Sequence, residues 1–283
     1  MSLLIVGCGF LGEQVAAVAA DAGLSLALTS RSAERAATLA ARFGPTVTAI
    51  NFDTDDAAAR LAEAAPDASH ALVLLTPSAC LDATGQPLPL RRVMQGLAAL
   101  PRLSRAVLSS STAVYGERHG QTVTADSPCA PVGAREQRLA LIEDHWLTVP
   151  TQRVVRLAGL YGPGRIVGAT GLRQGQPVDG SPDAWLNLIH VSDAAGLLLR
   201  CLYADAARVE LGADGAPVRR GIYYGWLAAQ LGLRPPVFSG APAARGGASR
   251  RCDPGPTIAR TVWRPMFRDF RAGLTAAGLP ARR

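Results

Sequence analysis

Short apolar-rich runs alternate with longer stretches of mixed polarity through the first half of the chain. The runs predict strands at residues 3–6, 24–29, 46–52, 71–75, 106–109 and 152–157. Runs this short and this apolar suit strands covered on both faces rather than strands with one wet face. The intervening stretches, 13–21, 33–43, 55–65, 88–100 and 135–147, read as helices. Their ends carry matching punctuation. Gly44-Pro45 stops the helix at 33–43, Asp55 and Asp56 open the next where the helix dipole favours acid, and Pro101 stops the helix at 88–100. Alternating strands and helices predict an α/β protein on a doubly wound parallel sheet. Crossovers are then right-handed, and ligands bind beyond the carboxyl ends of the strands.

The second half is less regular. Residues 159–183 are rich in Gly, Pro and Gln; 185–189 predicts a short strand, and 192–203, 218–231 and 266–277 predict helices. The expected organisation is a nucleotide-binding domain at 1–160, with 185–205 returning to it, and a small C-terminal substrate lobe in 161–283. The Gly/Pro/Ala-rich stretch 235–247 reads as a flexible loop.

Candidate chemistry concentrates at the first strand. Gly7-Cys8-Gly9-Phe10-Leu11-Gly12 lies between a strand and a helix. At that spacing Gly7 allows the tight turn, Gly9 lets a pyrophosphate approach the backbone, and Gly12 lets the helix pack on the sheet. Phe10 and Leu11 lie inside the turn, where N–H groups at the helix start face phosphate oxygens. The context predicts a Rossmann-type dinucleotide site. The second strand ends in Thr29-Ser30-Arg31-Ser32, with no acid to bind ribose hydroxyls. Two hydroxyls and a guanidinium suit a 2′-phosphate, which favours NADP(H), with NAD(H) as the alternative. Against this, Ser30 or Ser32 could simply cap the next helix while Arg31 stays solvated. Asp53 is placed to touch adenine, or is an ordinary turn residue. Thr76, Pro77 and Ser78, after the fourth strand, would pass the nicotinamide ribose. Ser109, ending the fifth, completes the expected cofactor contacts.

Composition narrows the partners. With 283 residues, 48% hydrophobic and 5% aromatic, the chain can bury a large, mostly aliphatic core. No apolar run reaches the roughly 18 residues of a membrane span. The chain opens on a strand with no basic stretch ahead of it, so neither a membrane partner nor a signal peptide is expected. Five scattered cysteines without a CxxC pair fit a reducing cytoplasm and argue against a metal site or disulfides. The net charge of +7 is spread over separated arginines, so no nucleic-acid partner is expected.

Four stretches resemble one family in order and spacing: the glycine turn, Ser109-Ser110-Ser111-Thr112-Ala113-Val114-Tyr115-Gly116, Arg156-Leu157-Ala158-Gly159-Leu160-Tyr161-Gly162-Pro163-Gly164, and Asn187-Leu188-Ile189-His190-Val191-Ser192-Asp193-Ala194-Ala195. Together they resemble the extended short-chain dehydrogenases/reductases, the NAD-dependent epimerase/dehydratase group, over nearly the whole chain. The resemblance implies a homodimer through the helices at 88–100 and 135–147, although a face buried within one monomer would look the same. It also implies that Ser111 holds the substrate oxygen, followed by a Tyr-x-x-x-Lys pair on the next helix. Residues 131–142 contain no Tyr and no Lys. The chain therefore looks like an atypical member that has lost the dyad. Tyr115 and Tyr161 are the candidate replacement proton donors beside Ser111, and both also read as structural tyrosines. Arg135 or Arg138 could supply the cationic role of the missing Lys, or be ordinary helix-surface arginines. His119, Glu136, His190, Asp193 and Cys80 read better as structural or solvated groups.

Three readings remain. The first is an NADP(H)-dependent oxidoreductase acting on a small carbonyl, imine or alcohol. The second is a non-catalytic NADP(H)-binding sensor or scaffold, and the third a sugar-nucleotide epimerase or dehydratase. The last oxidises an unactivated alcohol and leans hardest on the missing pair.

Overall fold

A computed structural model describes residues 2–241 and 248–279. In chain order the elements begin β1 Ser2–Val6, α1 Phe10–Asp21, β2 Ser25–Ser30, α2 Ala33–Phe43, β3 Val47–Ala49, α3 Ala57–Ala64 and β4 His70–Val73. They continue with α4 Pro77–Cys80, α5 Leu88–Ala98, β5 Arg105–Ser111, β6 Thr122–Val123, α6 Ala134–Trp146, β7 Gln152–Leu157 and β8 Gly159–Tyr161. Then come α7 Ala169–Arg173, β9 Trp185–Leu186, β10 Leu188–His190, α8 Val191–Tyr203, β11 Val209–Gly212 and β12 Val218–Arg219. The last are α9 Arg220–Leu231, β13 Arg251–Cys252, α10 Gly255–Thr261 and α11 Phe270–Ala276.

The chain divides into two units. The first comprises residues 1–110, 137–155 and 195–210; the second comprises 111–136, 156–194 and 211–283. The first is built on the central parallel sheet, ordered β11-β7-β5-β4-β1-β2-β3. In it β1 pairs in parallel with both β2 and β4, placing Leu4 opposite Ala27 and Ala71. Strand order reverses beside β1, so a crevice opens at its carboxyl end. The expected α/β class with a doubly wound parallel sheet is what the structure has.

The core of the first unit is aliphatic, as composition implies. Leu4, Val6, Val73, Leu90, Val93 and Leu108 pack with Trp146, whose indole N–H donates to the Arg153 carbonyl at 2.9 Å. The second unit departs from that expectation. Its core gathers Tyr161, Tyr223, Tyr224 and Phe270, with the Tyr223 and Phe270 rings 5.0 Å apart in an edge-on arrangement.

Several boundaries differ from the sequence pattern for local reasons. The strand expected at 185–189 is two strands, because the Asn187 side chain turns away to bind backbone. Its Nδ2 donates to Arg250 O at 2.9 Å and its Oδ1 accepts from Cys252 N at 2.7 Å. The helix expected from 218 starts at Arg220, since Val218 and Arg219 pair with Leu186 and Trp185 instead. The last helix starts at Phe270, where the Asp269 carboxylate accepts from the N–H groups of Arg271 and Ala272. Of Thr76–Ser78, expected as loop, Thr76 caps the one-turn helix α4 and Pro77 and Ser78 are its first residues. Of the loop expected at 235–247, residues 242–247 lie outside the described residues.

Candidate functional site

The glycine turn is built as its spacing requires. Gly7 has φ +88, and a Cβ there would come within 2.8 Å of the Leu75 side chain. Its N–H donates to Thr29 Oγ1 at 3.1 Å, and the Cys8 N–H donates to Thr29 O at 2.8 Å. Thr29 is 1% exposed, so β2 fixes the shape of the turn leaving β1. A Cβ on Gly9 would meet nothing within 4 Å, so the backbone there faces open space. Gly9 also caps α1 without a side-chain hydrogen bond, and the first bond back to it is from Glu13 N, at 2.8 Å. An uncapped helix start behind an open backbone is an anion cradle. The residues present therefore fit a dinucleotide phosphate.

Beside this turn lies a small cleft of about 50 Å³ within the first unit. Gly7, Ser30, Arg31 and Asp53 line it, as does Ser78 from the first turn of α4. Five residues expected on the cofactor thus line one cleft. The apolar floor of Ile50, Phe52 and Leu75 was not expected as part of the site. Ile50 and Phe52 belong to the predicted third strand, and their position at its carboxyl end is the signal that could have marked them. Ser30 is 8% exposed, and its side chain makes no hydrogen bond among the described residues. Arg31 is exposed and likewise has no hydrogen bond or ion pair there.

Other charges around the turn are committed. Glu13, in the first turn of α1, pairs with both Arg35 and Arg42 of α2, the latter at 3.1 Å. Ser32 accepts from Arg35 N at 3.3 Å and caps α2, as its alternative reading supposed. Among Arg31, Arg35 and Arg42, only Arg31 is left for an external anion. Thr76 Oγ1 and Ser78 Oγ lie 3.0 Å apart, and Pro77 opens α4. Phe10, Leu11 and Gly12 form the first turn of α1, and Ser109 is half-buried near the end of β5.

The candidate catalytic residues sit differently. Ser111 is half-buried; its Oγ accepts from Ala113 N at 3.2 Å, so the hydroxyl proton is left to donate. Tyr115 and Tyr161 are both 0% exposed. The Arg156 guanidinium covers the Tyr115 ring at 4.9 Å. The Tyr161 hydroxyl is held 3.5 Å from Asp269 O, and burial pushes its pKa up. Neither hydroxyl opens to a substrate in this conformation. Of the remaining tyrosines, Tyr223 and Tyr224 are buried, while Tyr203 is exposed, its ring tilted against His70 with centroids 4.6 Å apart.

The helix meant to carry the dyad has neither member: α6 reads Ala-Arg-Glu-Gln-Arg-Leu-Ala-Leu-Ile-Glu-Asp-His-Trp. Moreover all 29 basic residues of the chain are arginine, so no lysine can be supplied from elsewhere in it. Glu136 caps its own helix, its Oε2 accepting from Val132 N and Gly133 N at 3.0 Å each. His119 is exposed with φ +50. His190 is 4% exposed and accepts from Ser192 N at 3.2 Å; burial lowers its pKa, against the pull of Asp193. Asp193 ties the C-terminal segment by accepting from Met266 N at 2.7 Å and Phe267 N at 3.2 Å. Burial pushes the Cys80 thiol up to about 12, so it is no nucleophile. No group of metal ligands occurs among the described residues, and no helix there is long and apolar enough to cross a membrane.

No protein-family model and no curated protein matches the sequence. Solved structures do. A conserved protein of unknown function from Silicibacter pomeroyi matches with a TM-score of 0.80 at 25% identity, covering 98% of each chain. UDP-glucose 4-epimerase from Thermotoga maritima, solved with UDP-glucose, matches at 0.79 and 15% identity, over 98% of this chain and 97% of that one. dTDP-glucose 4,6-dehydratase from Bacillus anthracis, in complex with NAD, matches at 0.79 and 13% identity, over 98% and 95%.

Proposed function

We propose that this chain, which has the fold of the NAD-dependent epimerases and dehydratases, is an NADP(H)-dependent oxidoreductase acting on a small carbonyl or imine. One observation carries the reading. At the end of β2, beside an open glycine turn, stand Ser30 and an uncommitted Arg31, with no acid in Thr29–Ser32. A carboxylate there would repel a 2′-phosphate, whereas a guanidinium attracts it. When bound, NADP(H) supplies or accepts the hydride. Ser111 supplies the hydroxyl that holds the substrate oxygen or nitrogen and passes it a proton drawn from water. With no lysine to tune a donor, and with Tyr115 and Tyr161 both buried, the chemistry that fits needs little acid assistance. Reduction of an already protonated imine is such a case; oxidation of a sugar alcohol is not.

The test is single-turnover mixing of the protein and NADPH with a panel of small aldehydes, ketones and cyclic imines. The expected result is loss of the reduced nicotinamide signal on one class, slowed roughly a hundredfold by Ser111→Ala. Absence of turnover across the panel contradicts the enzymatic reading.

The missing lysine and the buried Tyr115 and Tyr161 also support a second reading, an NADP(H)-binding sensor without turnover. It expects a protein partner captured in one cofactor redox state and released in the other. The homodimer through α5 and α6 that the resemblance implies is part of either reading, and sedimentation measures it directly.

A further inference from the structure

Four of the five cysteines are sealed in. Cys8, Cys80, Cys201 and Cys252 are buried, and burial pushes the first three thiols up to about 12 and the last to about 11. Such thiols are inert at neutral pH. Cys129 differs. It is exposed, on the segment between β6 and α6 in the second unit.

A buried cation is aimed at its sulfur. Arg156 of β7 is 6% exposed, and its Nη2 donates to Cys129 Sγ at 3.0 Å. The same guanidinium lies over the Tyr115 ring at 4.9 Å, so it is held between an aromatic face and the sulfur. A second guanidinium braces the backbone. Arg118 Nη2 donates at 2.5 Å to the carbonyl of Pro128, the residue before Cys129, and its Nε donates to Tyr115 O at 2.9 Å. On the other side, Ala130 N donates to Val114 O at 3.0 Å. A cation at hydrogen-bond distance favours the thiolate, which is the nucleophilic form. Exposure admits a reagent. Cys129 therefore meets both conditions for a reactive cysteine, and the other four lack the exposure.

We propose that Cys129 is a modification site whose thiolate exchanges with small-molecule disulfides. Its sulfur attacks one sulfur of the disulfide. A new S–S bond forms, the old one breaks, and the departing thiolate takes a proton from water. Excess thiol runs the exchange backwards. The site is independent of the cofactor reading.

The experiment incubates the full chain with oxidised glutathione and reads intact mass and a peptide map. Alongside it, iodoacetamide alkylation of Cys129 is timed across pH, with N-acetylcysteine as the reference thiol. The expected result is one glutathione adduct per chain, on Cys129, removed by dithiothreitol and absent from Cys129→Ser. The alkylation rate of the parent reaches half its plateau at least about one pH unit below the reference thiol. Arg156→Gln moves that midpoint up toward the reference; the parent profile needs no variant and decides the matter even where Arg156→Gln does not fold. No adduct, an adduct on another cysteine, or a parent midpoint equal to that of the reference thiol overturns the proposal.

Discussion

The Ser110 hydroxyl donates to Glu143 Oε1 across 2.5 Å, joining the end of β5 to a carboxylate on α6 that is 2% exposed. A buried carboxylate is tolerated only where it is hydrogen-bonded. This bond fixes the strand end immediately before Ser111. Glu143→Ala therefore costs about 2–4 kcal/mol, from a lost charged hydrogen bond and a cavity. Urea unfolding measures it. Glu143→Gln, which keeps shape and an acceptor, costs less.

Gly9 and Gly7 separate folding from ligand binding. Gly9 has φ −101 and open space before it, so Gly9→Ala leaves the unfolding midpoint near that of the parent. The added methyl nevertheless occupies the space a pyrophosphate needs, and NADPH binding falls more than tenfold. Gly7→Ala combines φ +88 with a contact on Leu75 and lowers stability as well, by about 1–3 kcal/mol. Thermal unfolding paired with cofactor titration of the two variants checks the contrast.

Thr29→Val keeps the shape of the buried side chain and deletes the acceptor for Gly7 N–H. The orphaned N–H costs about 1–3 kcal/mol. Cofactor affinity falls with it, because the turn loses its brace. Calorimetric titration of NADPH reads the second effect.

Asp214 gives the second unit a pH dependence. Burial raises its carboxyl to about 7; the Ala216 N–H opposes the rise, and the charges of Asp269 and Asp193 add to it. Its Oδ2 is buried without a hydrogen-bond partner among the described residues. The folded protein therefore holds a proton that the unfolded chain releases near its ordinary value of 3.8. The contribution to stability is full below that value and is lost as pH rises through about 7, at up to about 1.4 kcal/mol per pH unit. Asp214→Asn removes this slope, and the difference between the two stability profiles isolates it from other carboxylates.

The glycine turn and the strands nearest it were legible in the sequence because each is a local pattern: an apolar run, glycines at fixed spacing, and a helix. β11 was not. Its four residues include Glu210, which is 1% exposed and accepts from Ala207 N at 2.8 Å, so an internal acid masks a buried strand. The role of Thr29 was hidden because it depends on a contact 22 residues away in sequence. The division of labour among Arg31, Arg35 and Arg42 was hidden for the same reason, since only folding brings Glu13 to two of them. The absence of lysine, by contrast, stood in the composition from the outset and strengthens the case for a lost dyad.

The measurement that bears most directly on the account is paired titration of NADPH and NADH into the parent protein and Arg31→Ala, followed by tryptophan fluorescence. The account predicts that the parent binds NADPH more tightly than NADH. It predicts that Arg31→Ala weakens NADPH by about 10–100-fold, the loss of one or two charge-assisted hydrogen bonds, and leaves NADH nearly unchanged. Equal affinity for the two cofactors, or an equal loss of both in the variant, contradicts the assignment of Arg31 to the 2′-phosphate. Binding of neither contradicts the dinucleotide site itself.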